Sequence, residues 1–173
     1  MDLTPSYFFD LDDFDHKVLF ENCTFVWEAL SKISSYLLTL QLGRIEVDVP
    51  QGVHLINPEL ITILEGTIIE PGAYIKGPCI IGKNCQIRQG AYIRGGVICG
   101  NKCVIGHDTE IKNSILLNRA QAAHFAYVGD SILGNRVNLG AGVKCANLRL
   151  DHSQIFIHIS GQKIATGLKK LGA

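Results

Sequence analysis

Residues 63–112 read ILEGTI IEPGAY IKGPCI IGKNCQ IRQGAY IRGGVI CGNKCV IGHDTE IK. Ile63, Ile69, Ile75, Ile81, Ile87, Ile93, Ile105 and Ile111 recur at every sixth position, and Cys99 fills the one slot that lacks isoleucine. Four residues after each hit stands a small or medium side chain: Thr67, Ala73, Cys79, Cys85, Ala91, Val97, Cys103, Thr109 and Ile115. Side chains of an extended chain alternate between two faces, so an even offset keeps both lanes on one face. Glycines between the hits, from Gly66 and Gly72 to Gly100 and Gly106, supply the bends. A unit this short cannot bury its own apolar side and must stack on copies of itself, which makes the chain a parallel β-helix with three short runs, about 18 residues, per coil. A β-sandwich would need irregular turn spacing instead.

Outward from this stretch the pattern changes. The register blurs at Ile115, Leu116 and Leu117, and an irregular loop is expected over 118–127. The first lane resumes with Val128, Leu133, Leu139 and Cys145, and Ile132, Val137 and Val143 are assigned to the second. The period fails again over 146–165, where alternation from His152 to Ile159 predicts a protruding hairpin arm or a strand crossing. Upstream, Val26, Leu30, Ile33, Leu37 and Leu40 are spaced as the seam of a helix over 24–41, with Gly43 as its stop. The chain thus divides into a helical N-terminal segment, 1–45, and a solenoid, 46–173. That segment is expected to cover the open end of the solenoid or an adjoining face, since bare coils expose sheet edges. A trimer-forming bundle or a partner-binding helix is the other reading.

Sixteen basic and sixteen acidic residues leave no net charge, so no global field favours nucleic acid or an anionic membrane. No run of about 18 apolar residues predicts a membrane span, and acids rather than a basic stretch open the chain, so the cytoplasm is the expected compartment. The six cysteines contain no CxxC pair, and three of them occupy the second lane, so they are read as small core residues rather than as metal ligands or disulfides.

Positions one coil apart stack at about 4.8 Å. Lys76, Arg94 and Lys112 form such a column, each directly after a first-lane isoleucine and therefore facing outward. Stacked cations repel unless splayed into water or joined by an anion. His124 stands among small residues in Ala122-Ala-His-Phe-Ala-Tyr-Val-Gly-Asp130, with Tyr127 and Asp130 as candidate hydrogen-bond partners, and imidazole suits a general base near neutral pH. Asn138, Lys144 and Asn147 add polar groups downstream. The residues alone lead as far as an anionic small-ligand site with a candidate base.

The segments Glu110-Ile-Lys-Asn-Ser, His124-Phe-Ala-Tyr-Val-Gly-Asp130 and Val137-Asn-Leu-Gly-Ala-Gly-Val-Lys-Cys-Ala-Asn147 resemble the acetyltransferase domain of the bifunctional N-acetylglucosamine-1-phosphate uridylyltransferase / glucosamine-1-phosphate N-acetyltransferase family. Lys144 and Asn147-Leu-Arg are closer to its archaeal-type sugar-1-phosphate nucleotidylyltransferase branch. The resemblance implies a left-handed coil and a homotrimer with the substrate cleft between neighbouring β-helices. It implies acetyl-CoA as co-substrate, with no metal needed for acetyl transfer, in the synthesis of a nucleotide-sugar precursor of the cell envelope. His124 would then take a proton from the amine of glucosamine 1-phosphate, and Arg94 and Lys112 would hold the phosphate. Tyr127, Asn138, Lys144 and Asn147 would contact the sugar, and the main chain at Ala141 would lie beside the thioester.

Two departures bear on this expectation. No Gly-rich nucleotide loop precedes the repeat, so uridylyl transfer is not expected of this chain and a separate nucleotidylyltransferase partner would supply it. Members of the family also continue with coils that wall the acetyl-CoA site. An acyltransferase for another sugar, and a non-catalytic sugar-phosphate-binding scaffold or regulatory subunit, remain alternatives. So does a zinc site built from His107, His124 and His152, as in γ-carbonic anhydrases, which share the fold.

Overall fold

A computed structural model describes residues 2–173. The repeat winds into a left-handed parallel β-helix of about five turns. Three parallel sheets form its sides. One contains Ile61–Ile63, Cys79–Ile81, Val97–Cys99, Ser114–Leu116 and Ile132–Leu133; its outer face carries the N-terminal helix, and it is called the helix-covered sheet below. A second, the tyrosine sheet, contains His54–Ile56, Tyr74–Lys76, Tyr92–Ile93, Glu110–Lys112, Tyr127–Gly129 and Lys144–Cys145. The third contains Ile68–Ile69, Gln86–Ile87, Val104–His107, Gln121–His124 and Asn138–Leu139. The first-lane residues point inward from every strand and, with the small side chains at the corners, fill one continuous core from Ile61 to Leu133.

The expected loop over 118–127 is absent. Asn118 and Arg119 are a corner, and the chain then enters the strand Gln121–His124, paired with Val104–His107 below and Asn138–Leu139 above. The repeat was masked for two physical reasons. Ala122 takes a slot that isoleucine fills in lower coils, and two corners are one residue shorter. Below, the turn between the tyrosine and helix-covered sheets uses Gly77-Pro78 or Gly95-Gly96; above, Asn113 and Asp130 make it alone with φ of 41° and 50°. The rung therefore shortens from eighteen residues, Ile81 over Ile63, to seventeen, Leu133 over Leu116. The same shortening corrects the second lane: Ser114 and Ser131 pair into it, and Ile115 and Ile132 point outward.

That outward row explains the N-terminal segment. Ile80, Ile98, Ile115 and Ile132 form an apolar stripe on the outer face of the helix-covered sheet, and Leu30, Ile33, Leu37, Phe14, Leu19 and Phe20 pack on it. Full burial of each such side chain contributes about 1.5–3 kcal/mol, so the segment belongs on this side rather than over the end. The helix runs Glu28–Thr39, shorter than its apolar spacing predicts. Glu28 Oε2 accepts hydrogen bonds from the amides of Thr24 (2.7 Å) and Phe25 (3.2 Å), which holds the preceding turn in a non-helical shape. Leu40 is already extended, and Gly43 serves another purpose than stopping the helix: at φ 93° it passes so close to Glu59 that a Cβ would lie 2.9 Å from its carbonyl oxygen. Pairing into the solenoid begins with Ile45 against Ile63.

Beyond Cys145 the chain leaves the coil at Asn147, forms an antiparallel hairpin of Phe156–Ile159 and Gln162–Ala165, and returns. Leu148 bridges Lys170, the Leu171 amide donates to Asn147 O, and Ala173 O accepts from the Ile132 amide. The hairpin is thus a corner excursion, after which Ala173 rejoins the path of the helix-covered sheet. No helix among the described residues is long and apolar enough to cross a membrane.

Candidate functional site

His124 ends its strand at the corner between the third sheet and the tyrosine sheet, in register with His107 one rung below. Gly106 makes this approach feasible, because a Cβ there would fall 1.8 Å from Ala123 O. Phe125 turns the corner with φ 51°, a conformation unfavourable for a bulky side chain. Two contacts from the next rung hold it: the Gly142 amide donates to His124 O at 3.0 Å, and Lys144 Nζ donates to Phe125 O. The same seventeen-residue step, with the Gly142 amide on His124 O, sets the Ala141 main chain one rung above His124. His107 is tied through Nδ1 to Gln89 O (3.3 Å) and through Nε2 to Asp108 Oδ2 (3.3 Å), and its ring meets Phe125 edge to face at 5.1 Å. No side-chain hydrogen bond engages His124 among the described residues. Tyr127 and Asp130, expected as its partners, bond elsewhere.

Their partners lie on the tyrosine sheet and its corner. Lys112 Nζ contacts Asp130 Oδ2 at 2.6 Å, Asn113 Nδ2 donates to Asp130 Oδ1 at 2.8 Å, and Asn147 Nδ2 donates to the first oxygen as well. Tyr127 O–H reaches Asn147 Oδ1 at 3.5 Å. Burial alone would push the Asp130 carboxyl up, but the ammonium and the two amides outweigh it and hold the group below the ordinary carboxylate range. Arg94 Nη1 meets Glu110 Oε1 at 2.6 Å, with its guanidinium 5.9 Å from the Tyr92 ring centroid. The repulsion expected of the Lys76–Arg94–Lys112 column is therefore relieved within the chain, since Glu110 and Asp130 neutralise two of its members.

Arg94, Lys112, Tyr127, Lys144 and Asn147 share the tyrosine sheet or its edge, and His124 and Ala141 the adjoining corner. Asn138 is set apart. It pairs with Gln121 at the opposite end of the rung and faces out from the third sheet. Glu110 and Asn113 were missed as participants, and His107, considered only as a zinc ligand, instead packs against Phe125 at the His124 corner. Glu110 stands two positions before Lys112 and Asn113 one after it, but the stacked column gives no sign of the contacts they make with Arg94 and Asp130. His152 lies in the excursion beyond Asn147, outside the rungs that stack His107 on His124, so the three do not form one ligand set.

One group with metal-ligand chemistry lies elsewhere: the sulfurs of Cys85, Cys99 and Cys103 approach within 4.8 Å of one another inside the coil. Two of them cap corner carbonyls, Cys85 to Gly100 O (3.2 Å) and Cys103 to Leu117 O (3.0 Å), as Thr67 Oγ1 caps Gly82 O (2.7 Å) in the same lane. An apolar groove of about 930 Å³ opens at the last coil between Leu133, Leu139, Ile155, Ile157 and Trp27, away from His124.

Residues 75–167, more than half of the chain and all of the site described above, match the family described as the GMPPB C-terminal domain. The chain belongs to that family. It is also similar to a bifunctional sugar-1-phosphate nucleotidylyltransferase/acetyltransferase of Sulfurisphaera tokodaii, 39% identical over 141 residues, which are 82% of this chain and 34% of the relative. A bifunctional protein GlmU of Methanococcus maripaludis is 40% identical over 67 residues, 39% of this chain and 16% of the relative. Another of Nostoc sp. is 35% identical over 86 residues, 50% of this chain and 15% of the relative. The chain therefore spans about a third or less of the curated relatives it matches. Membership in this family agrees with the acetyltransferase-type resemblance read from the His124 and Asn147 segments.

Proposed function

We propose that this domain is an acetyl-CoA-dependent N-acetyltransferase for an amino-sugar 1-phosphate, with glucosamine 1-phosphate as the acceptor. The observation that carries the reading is the His124 corner. His124, whose imidazole makes no side-chain hydrogen bond among the described residues, lies one rung below the Ala141 main chain and at the corner adjoining the sheet that bears the cations, Tyr127 and Asn147. The sugar amine would attack the thioester carbonyl carbon, and His124 would accept the ammonium proton as the C–N bond forms. Collapse of the tetrahedral adduct then breaks the C–S bond, and the thiolate takes a proton on release. Base catalysis of this kind contributes about 10²–10⁴-fold. Arg94 would exchange Glu110 for the sugar phosphate; Lys112, anchored on Asp130, would present a second positive charge. Lys144 has a positioning role, holding the strained Phe125 carbonyl and through it the His124 backbone. A homotrimer would close the site, the neighbouring helix supplying the wall that one chain leaves open.

The test is thiol release from acetyl-CoA with glucosamine 1-phosphate, using the wild-type chain and His124→Ala. Activity that falls by at least about 10²-fold in the variant, with the circular dichroism spectrum retained, supports the reading. Equal turnover in both removes His124 from the mechanism. Sugar-phosphate binding without turnover in either would replace catalysis with a scaffold role.

A further inference from the structure

A different column of cations forms no ion pair among the described residues. Lys102, Arg119 and Arg136 stand one per rung at the corner between the helix-covered and third sheets, linked in register by the Arg119 amide to Asn101 O (2.8 Å) and the Arg136 amide to Asn118 O (3.0 Å). All three adopt the left-handed conformation, with φ of 60°, 64° and 61°. The rungs below put Gly66 and Asn84 in this slot, residue types that the conformation favours. Placing Lys, Arg and Arg there, stacked at about 4.8 Å, is unfavourable twice over, in backbone conformation and in charge. None of the three makes an ion pair or a side-chain hydrogen bond among the described residues.

They line a pocket of about 330 Å³ whose far wall is the N-terminal segment, with Asp10 and Asp13. That wall is fixed. Asn101 Nδ2 donates to Asp15 Oδ2 (3.0 Å), Asn118 Nδ2 to Asp13 O (2.8 Å) and Asn135 Nδ2 to Asp10 O (2.5 Å), one amide per rung. The asparagines are thus spent on holding the wall, and the cations remain for something else. Arg94 and Lys112, by contrast, are already matched by Glu110 and Asp130.

We infer that Lys102, Arg119 and Arg136 form a binding site for the diphosphate group of a small molecule, separate from the His124 site. Two adjacent phosphoryl groups span neighbouring rungs, so a diphosphate can meet two or three cations at once while a single phosphate meets fewer. Forked guanidinium groups suit phosphate oxygens. Asp10 and Asp13 at the rim set an upper limit on the negative charge admitted and can accept hydrogen bonds from hydroxyls attached to the ligand.

The experiment is calorimetric titration of the full chain with inorganic pyrophosphate and with orthophosphate at low ionic strength. One saturable pyrophosphate site per chain is expected, tighter than orthophosphate by about tenfold and weakened by added salt. Arg119→Asn with Arg136→Asn, which puts the residue native at position 84 into the same slot, should weaken pyrophosphate binding by at least about tenfold and leave acetyl transfer unchanged. Asp10→Asn with Asp13→Asn should tighten it. The single variant Lys102→Asn provides an independent check should the double variant fold poorly, with a smaller loss expected. Absence of saturable binding overturns the inference, as does binding that survives in the arginine variants but is lost in Arg94→Ala, which would assign the anion to the tyrosine sheet.

Discussion

Replacing Asp130 by alanine tests the polar centre of the site. The carboxylate lies at 8% side-chain exposure and its ion-pair partner Lys112 at 17%. The substitution strands the ammonium without a counter-charge and the Asn113 and Asn147 amides without their acceptor. Breaking a buried pair from one side costs about 3–5 kcal/mol. Lys112 keeps some contact with water, which favours the lower end, about 3 kcal/mol, equivalent to a fall in Tm of about 6–12 °C for a chain of this size. Lys112→Met leaves Asp130 its two amide donors and should cost less, about 1–2 kcal/mol. The double variant should then lose less than the sum of the singles, since neither charge is left alone. Urea melts followed through the fluorescence of Trp27, the one tryptophan, give each value. The pH dependence has a definite sign: a carboxyl held down in the folded state adds stability above the unfolded carboxylate range and loses it as pH falls through the folded value, so Asp130→Ala should flatten the acid limb. A loss below about 1 kcal/mol, or strict additivity with Lys112→Met, would refute the assignment of Asp130 as a buried hub.

Arg94→Ala should raise KM for the sugar phosphate by about tenfold or more with kcat/KM for acetyl-CoA less affected; steady-state kinetics with each substrate varied in turn checks this, and an effect confined to acetyl-CoA would contradict the phosphate role. A thiol reagent should label Cys23 and Cys145 in the folded chain and all six cysteines only after denaturation, because Cys79, Cys85, Cys99 and Cys103 are enclosed and burial pushes the Cys79 thiol up to about 12. Timed labelling read by mass spectrometry distinguishes the sets. His16, bonded through Nδ1 to Tyr36 O–H at 2.8 Å, is held below the ordinary histidine value because burial outweighs the attraction of Asp15. The unfolded chain therefore takes up that proton first, stability should fall as pH drops from about 7 to about 5, and His16→Gln should remove this part of the slope in urea melts taken across that range.

The solenoid was legible because isoleucine at a fixed period has one structural meaning, and the lane from Ile63 to Ile111 runs without a length change. It became illegible where Asn113 and Asp130 each replaced a two-residue corner by a single left-handed residue. The alanines of the next strand then carried no hydrophobic signal against which to reset the count. That same shift moved Ile115 and Ile132 from the apparent core to the outer stripe, which is why spacing alone left open where the N-terminal segment packs. Among the site residues, the stacking of Arg94 on Lys112 follows from the repeat arithmetic, whereas His124, Tyr127 and Asn147 were joined to them through the resemblance, and the corner placement of His124 emerges only from the strand Gln121–His124. The Glu110 and Asp130 counter-charges do not follow from that arithmetic, because a column of like charges in one register says nothing about acids one or two positions off it. Asn138 was grouped with the others through its motif, and the motif is silent about which face of a three-sided prism a residue occupies.

The N-terminal segment has a consequence for how the molecule comes apart. In a linear array each layer senses only the layers on either side, so disorder entering at an end can travel inward one step at a time. Here the isoleucine stripe from Ile80 to Ile132 and the amides of Asn101, Asn118 and Asn135 fasten several layers to one short piece of chain. An outer layer cannot melt without also loosening its grip on that splint, which is anchored to layers deeper in. Loss of structure should accordingly be shared along the axis as a single transition, and cutting the splint would return the protein to the gradual fraying of a simple stack.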